Sequence, residues 1–319
     1  MAETSITDIA PPPVAVTRVK RDWTRWLPVA IPYVWSFVFF LLPFVIVLRI
    51  SFSNSEVAIP PFTPVFNLFG DPLSQTLEHF KEFTTDGYAR LLSDSLYLRS
   101  YLSSLQIALI ATVATLIIGY PIAYAMARAP DEWRPTLLML IILPFWTSFL
   151  IRIYAWMGIL SGDGFLNNVL LYLHIIKEPL VIMQTNWAVY IGVIYSYLPF
   201  MILPLYSALE KMDNTLLEAA EDLGSPPIKS FWTITFPLSL PGVIAGCFLV
   251  FIPVVGEFVI PDLLGGSSTL MIGHTLWEEF FNNRDWPTAS ALAIVLLLVL
   301  VIPIVLFQNQ QAKNVGSVR

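Results

Sequence analysis

The sequence predicts an all-α integral membrane protein with six transmembrane helices. Hydrophobic residues make up 56% of the chain and charged residues only 13%, whereas a soluble domain carries about a quarter charged residues. Mean hydropathy is +0.70. Apolar stretches recur at 28–50, 103–127, 136–160, 187–209, 241–261 and 288–307, each close to or above the roughly 20 residues a helix needs to cross the hydrocarbon.

Residues 1–26 read as a disordered arm with Pro11–Pro13 and a basic cluster, Arg18, Lys20, Arg21 and Arg25. No cleavable signal peptide is expected, because the first apolar run is long enough to span. A membrane domain then covers 28–307, and a short tail covers 308–319. Pro43, Pro121, Pro144, Pro199, Pro204, Pro253 and Pro303 sit inside spans. Such prolines kink membrane helices, and neighbours re-satisfy the freed carbonyls.

An even number of spans puts both termini on one side of the membrane. With the N-terminus inside, cytoplasmic segments hold ten Lys and Arg residues and outer loops five. That bias predicts both termini in the cytoplasm. The outer side then has three segments. Residues 51–102 form the longest, with Phe66 and Phe69 scattered in it and a Phe80/Phe83 and Leu91/Leu92 pattern suggesting short helices. Residues 163–178 hold an apolar run too short to span, better suited to the interface. Residues 262–287 contain a Gly265-Gly266 turn, a short helix through Trp277 to Phe281, and Trp286-Pro287 restarting the last span.

The cytoplasmic loop at 210–240 is the most organised polar stretch. Leu216, Ala219, Ala220 and Leu223 recur at helical spacing, opposite Glu218, Glu221 and Asp222. Thr215 with Glu218 three residues on reads as a capping box, and Gly224 suits a left-handed helix end. Ser225-Pro226 would begin a second short helix that Pro237 stops.

Several chemistries are missing. None of the six lysines follows a glycine, so the chain lacks the loop that cradles ATP phosphates. His79, His174 and His274 are isolated from one another and from the single cysteine, Cys247, so no metal-ligand spacing exists. No nucleic-acid partner is expected, since a DNA-binding domain would be basic, though the net charge of -6 by itself says little.

Two charges stand inside apolar runs, Arg152 in WTSFLIRIYAW and Glu257 in FIPVVGEFVIP. Each costs about 2.5–3.5 kcal/mol at a helix centre, so each should face protein or a water-filled cavity. Both lie sixteen residues from the expected cytoplasmic starts, Thr136 and Pro241. That is roughly 24 Å at 1.5 Å per residue, a shared depth in the outer half. They form either a structural ion pair or part of a path for a cationic solute, with Tyr195 and Trp146 supplying cation–π contacts.

Glu218-Ala219-Ala220, Gly224, Phe231, Ile234 and Pro237 resemble the EAA loop of permease subunits of ABC importers. That resemblance implies that the loop couples to an ATPase. TSFLIRIYAWMGIL (147–160), GEFVIPDLLGG (256–266) and FFNNRDWPTASA (280–291) resemble segments of putrescine/spermidine importer permeases. The likeness covers nearly all the chain from residue 28; it departs from the common pattern in Phe236, where leucine is usual before Pro237. It implies a type I importer permease in a bacterial inner membrane, paired with a second, homologous permease. It further implies two cytoplasmic ATPase subunits that hold ATP and Mg, and an external protein delivering polyamine. The alternatives are an ion-coupled secondary transporter of a cationic solute, and an importer of another small organic cation or amino-acid-like solute. A secondary transporter would show paired broken helices at the midplane and would leave the EAA-like loop unexplained.

Overall fold

A computed structural model describes residues 27–65 and 80–316. The expectations for the N-terminal arm, for Phe66, Phe69 and His79, and for the last three residues lie outside them. Contacts divide the chain into two units, Met1–Val47 and Leu48–Arg319. In the first, α1 (Leu27–Ser36) passes through a π turn, Phe37–Leu41, into α2 (Leu42–Ile50), whose last three residues fall in the second unit. The stretch Pro28–Ile50 is long and apolar enough to span, as expected, and none of its most apolar window is buried among the described residues. Tyr33, Trp35, Phe39 and Phe40 are all exposed along it, a surface suited to lipid or to another membrane helix.

The second unit is built on three helices: α4 (Ser95–Arg128), α8 (Asn186–Glu210) and α11 (Phe236–Val255). Lipid tails are as apolar as leucine, so close packing, not escape from water, must hold such helices together. Small residues make the close approach possible. Ala108, Ala111 and Ala123 of α4 are fully buried, as are Val193, Met201, Ile202 and Leu205 of α8 and Val250 of α11. A Cβ on Gly246 would lie 2.7 Å from Met201 Sδ, and one on Gly119 would lie 3.1 Å from Met201 Cγ. Met201 is therefore held between two glycines from two helices.

Three spans differ from the sequence reading. The second begins at Ser95, not 103, because Asp94 caps it by accepting the Leu96 N–H at 2.8 Å. The third is broken. Helix α5 (Arg134–Ile142) tightens into a 3-10 turn at Leu143–Trp146, then Thr147 and Ser148 are extended before α6 (Phe149–Leu160). Pro144 opens that turn, and its carbonyl takes both the Thr147 N–H at 3.3 Å and the Thr147 hydroxyl at 2.8 Å. The fifth span starts earlier than Pro241, in the stretch Pro227–Val255, and is interrupted at Gly256 before α12 (Val259–Leu264). A uniform rise from Thr136 and Pro241 therefore does not describe the depth of Arg152 and Glu257.

The segments between the spans carry the expected short helices, and one element that the sequence does not predict. A two-stranded antiparallel ladder pairs Asn54 with Thr63 and Ser55 with Phe62. Helix α3 (Asp86–Ser93) follows the Phe80–Glu82 turn, and its Arg90 pairs with Asp285 at 2.9 Å. Helix α7 (Phe165–Tyr172) takes up the 163–178 segment. Its buried Asn167 bonds the carbonyls of Ser161 and Leu180 and accepts the Leu180 N–H at 2.8 Å. Helix α13 (Ile272–Trp277), extended by a π turn through Asn282, docks on α4. There Ile272 N–H donates to Ser104 Oγ at 2.7 Å, and Tyr97 OH donates to the buried Glu279 at 2.9 Å. The last helix, α14 (Trp286–Gly316), begins at the expected tryptophan.

Candidate coupling loop and buried carboxylate

Helix α9 (Thr215–Asp222) and the turn after it form a knob. The expected capping box is absent. Thr215 is the first helical residue, and its N–H donates to Asp213 Oδ1 at 3.0 Å. That bond, together with one from the Thr215 side chain, lowers the Asp213 carboxyl below its ordinary value. Asn214 precedes the helix but bonds no helical amide; its Oδ1 accepts from Arg128 Nη1 instead.

Gly224 closes the helix as the sequence predicts. Its φ is +72°, a conformation costly for any residue with a Cβ. The Ser225 N–H bonds the Ala220 carbonyl at 2.9 Å and the Gly224 N–H bonds the Glu221 carbonyl at 2.8 Å, the paired bonds of a Schellman end. No atom lies within 4 Å of a Cβ placed on Gly224, so backbone conformation alone selects glycine there.

The apolar stripe of α9 faces outward. Leu216 is 46% exposed, Leu223 88% and Ile228 of the following turn 77%. Ala219, Glu218, Glu221 and Asp222 are exposed beside them, while Ala220 is buried. An apolar stripe normally covers its own core; here Leu216 and Leu223, rimmed by three carboxylates, are left uncovered among the described residues.

The second short helix, α10 (Pro227–Ser230), begins at Pro227, with Pro226 as its cap residue, not its first residue. Pro237 does not stop it. The helix runs on through a π turn, Phe231–Thr235, into α11, where Pro237 sits within the first turn. Phe231 packs edge-on against Tyr120, centroids 5.5 Å apart, and Tyr124, 6.2 Å apart.

Glu257 is 9% exposed and lies in the break between α11 and α12. Its Oε1 accepts the N–H groups of Phe258 at 3.2 Å and Val259 at 3.0 Å, with Ile260 at 3.5 Å. Its Oε2 accepts the Tyr197 hydroxyl at 2.6 Å. The carboxylate thus satisfies amides that begin a helix and have no other partner, while Tyr197 reaches it from α8. Tyr195 instead packs edge-on against Trp156 at 5.4 Å, and Trp146 is 74% exposed. Arg152 lies over the rings of Phe145 at 5.2 Å and Phe149 at 5.7 Å. Its Nε is buried without a hydrogen bond. Among the described residues no ion pair joins Arg152 to Glu257. Tyr197 was absent from the sequence reading; the signal that could have found it is a tyrosine two residues before Pro199 in an apolar span.

Kinked and broken apolar helices around a small-residue core, with an outward-facing helix–glycine knob, define an integral-membrane permease of the type I importer fold. The chain belongs to the family of binding-protein-dependent transport system inner membrane components, which it matches over residues 110–315. The spermidine/putrescine transport system permease protein of Escherichia coli (strain K12) is 50% identical over 218 residues, 68% of this chain and 79% of that protein. Its counterpart in Haemophilus influenzae is 40% identical over 281 residues, 88% of this chain and 92% of that one. A chain in the crystal structure of a bacterial ABC transporter involved in the import of the acidic polysaccharide alginate shares the fold. Its TM-score is 0.67 at 16% identity, covering 93% of this chain and 97% of that chain. This protein is therefore a multi-pass inner-membrane transport subunit. Its broken spans, a feature also expected of a secondary transporter, occur here within an importer fold.

Proposed function

We propose that this chain is a permease subunit of a polyamine importer, and that Glu218, Ala219, Ala220 and Gly224 form its contact with an ATPase, with Pro237 fixing the helix behind it. The observation behind the coupling assignment is the exposed stripe Leu216, Leu223 and Ile228 rimmed by acids, which has no partner among the described residues. The subunit works with a second, homologous permease, two cytoplasmic ATPases that bind ATP and Mg, and an external binding protein. In this reading the nucleotide sites lie on the ATPases, since no lysine of this chain follows a glycine as the phosphate-cradling loop requires. The polyamine assignment is supported by the names of its relatives and by a buried carboxylate, Glu257, set between membrane helices with Tyr197. Arg152, Tyr195 and Trp146, on the third and fourth spans of the sequence, are assigned to the same path in this reading.

Reconstitution with the partner subunits tests this directly. ATP hydrolysis should rise with a putrescine- or spermidine-loaded binding protein, and a response only to another organic cation or an amino acid would replace the substrate. Gly224→Val should lower uptake per ATP hydrolysed by roughly tenfold or more, within the usual range of coupling energies, while the protein still inserts. A β-branched residue resists the left-handed backbone. Normal uptake by this variant would remove the knob from coupling.

Both termini are assigned to the cytoplasm on the Lys and Arg count. In a Cys247→Ser background, a membrane-impermeant thiol reagent should label Asp213→Cys only from inside and Thr63→Cys only from outside. The reverse pattern would invert the topology.

A further inference from the structure

We infer that one stripe of α4, made of Tyr120, Tyr124 and Arg128, is the strut through which movement of the coupling loop enters the bundle; this rests on the coupling role proposed above. The three residues recur every four positions, so they lie along one side of the helix. They hold the loop at both ends. At its start, Arg128 Nη1 donates to Asn214 Oδ1, immediately before α9. At its end, the ring of Phe231 packs edge-on against both Tyr120 and Tyr124. The stripe is internally connected too, since the Arg128 guanidinium lies 5.4 Å over the Tyr124 ring. Arg128 Nη2 is buried with no hydrogen bond, so among the described residues the Asn214 contact and the ring hold the guanidinium.

The loop is therefore a bracket closed on one helix. Everything between its fixed ends, α9, Gly224 and α10, is the part that carries the exposed apolar stripe. A push on that stripe reaches α4 from both sides of the loop at once. From α4 it has two rigid exits. Tyr120 OH shares a hydrogen bond with Ser239 Oγ of α11 at 2.8 Å. Gly119, one residue earlier, brings α4 against Met201 and Ile202 of α8. Helices α8 and α11 are the two that lead to Tyr197 and to the break at Glu257. The π turn at Phe231–Thr235 sits where the loop joins α11, and such turns concentrate at functional positions. Tyr120, Tyr124 and Arg128 act through the loop and are positioning residues.

The test uses the whole importer in proteoliposomes, with its ATPases and a putrescine-loaded binding protein, and reads putrescine imported per ATP hydrolysed. Tyr124→Ala and Arg128→Leu should each lower that ratio by roughly five- to tenfold, with the ATPases still copurifying. Tyr124→Phe, which keeps the ring, and Arg128→Lys, which keeps a donor, should recover most of it. Asn214→Ala removes only the acceptor at the exposed end of the bracket and should lower the ratio in the same direction, which keeps the test valid if Tyr124→Ala fails to fold. Wild-type ratios in Arg128→Leu and Asn214→Ala, beside an uncoupled Gly224→Val, overturn the strut and leave the coupling loop standing. Loss of ATPase copurification in those variants also overturns it, because the stripe would then serve docking. If Gly224→Val is itself fully coupled, the coupling reading fails first.

Discussion

Gly242→Ala is expected to prevent a stable bundle from assembling, although it adds a single methyl group. That carbon would lie 2.6 Å from Ala208 Cβ, 2.8 Å from the Pro204 carbonyl oxygen and 3.2 Å from Leu205 Cα. None of these is the far end of a flexible side chain. Relief therefore requires α8 and α11 to separate, and separation also loosens Met201 between Gly119 and Gly246. Overpacking of a tight core costs about 1–3 kcal/mol and sometimes more, a large part of the roughly 5–15 kcal/mol that holds a typical protein folded. Gly158→Ala is the matched control. A Cβ there meets nothing within 4 Å, and alanine in a helix is favoured over glycine by about 0.5–1 kcal/mol. In detergent, Gly242→Ala should elute as aggregate or unfold many degrees below the parent, while Gly158→Ala should match or exceed it. Equal melting of the two variants would remove close helix approach as the basis of the core.

The same physics explains what the sequence could show. Long apolar runs declare spans because roughly 20 residues without charge have few other uses, and all six expected spans coincide with apolar helical stretches. Breaks within spans were harder to see. Pro144 reads as a kink, since proline in a membrane helix usually bends it; the rupture at Thr147–Ser148 depends on Thr147 bonding back to Pro144. Glu257 read as a charge in a helix interior, yet it caps a new helix after Gly256. The glycine just before it was the available clue. Gly224 was legible because left-handed backbone and glycine go together. The capping box failed because Asp213 takes the Thr215 N–H, which places Thr215 inside the helix and not at its cap. Pro237 failed as a stop because proline early in a helix is compatible with its continuing. Tyr197 for Glu257 and Tyr124 for Phe231 come from separate spans, so sequence spacing alone does not pair them.

Glu257→Gln is expected to fold normally and to lose polyamine uptake, whereas Glu257→Leu should lose both. Glutamine keeps a side-chain oxygen for the Phe258 and Val259 amides, and its amide nitrogen can donate to the Tyr197 hydroxyl in place of the reversed bond. Leucine removes both functions at once. It leaves the first amides of α12 uncapped, worth about 0.5–2 kcal/mol, and strands a partly buried tyrosine hydroxyl, worth about 1–3 kcal/mol. Charge is thus the property that glutamine alone deletes. A diamine leaving water for a narrow passage of low dielectric gains most from a fixed carboxylate near its route, so losing that charge should slow uptake by roughly tenfold, or about 1.4 kcal/mol. Arg152→Met supplies the remaining arm. Because Arg152 lies over Phe145 and Phe149 and not against Glu257, adding it to Glu257→Gln should restore nothing. Uptake by Glu257→Gln equal to the parent at matched expression, with Glu257→Leu still unstable, would show that Glu257 is a helix cap alone. The polyamine would then pass by other groups.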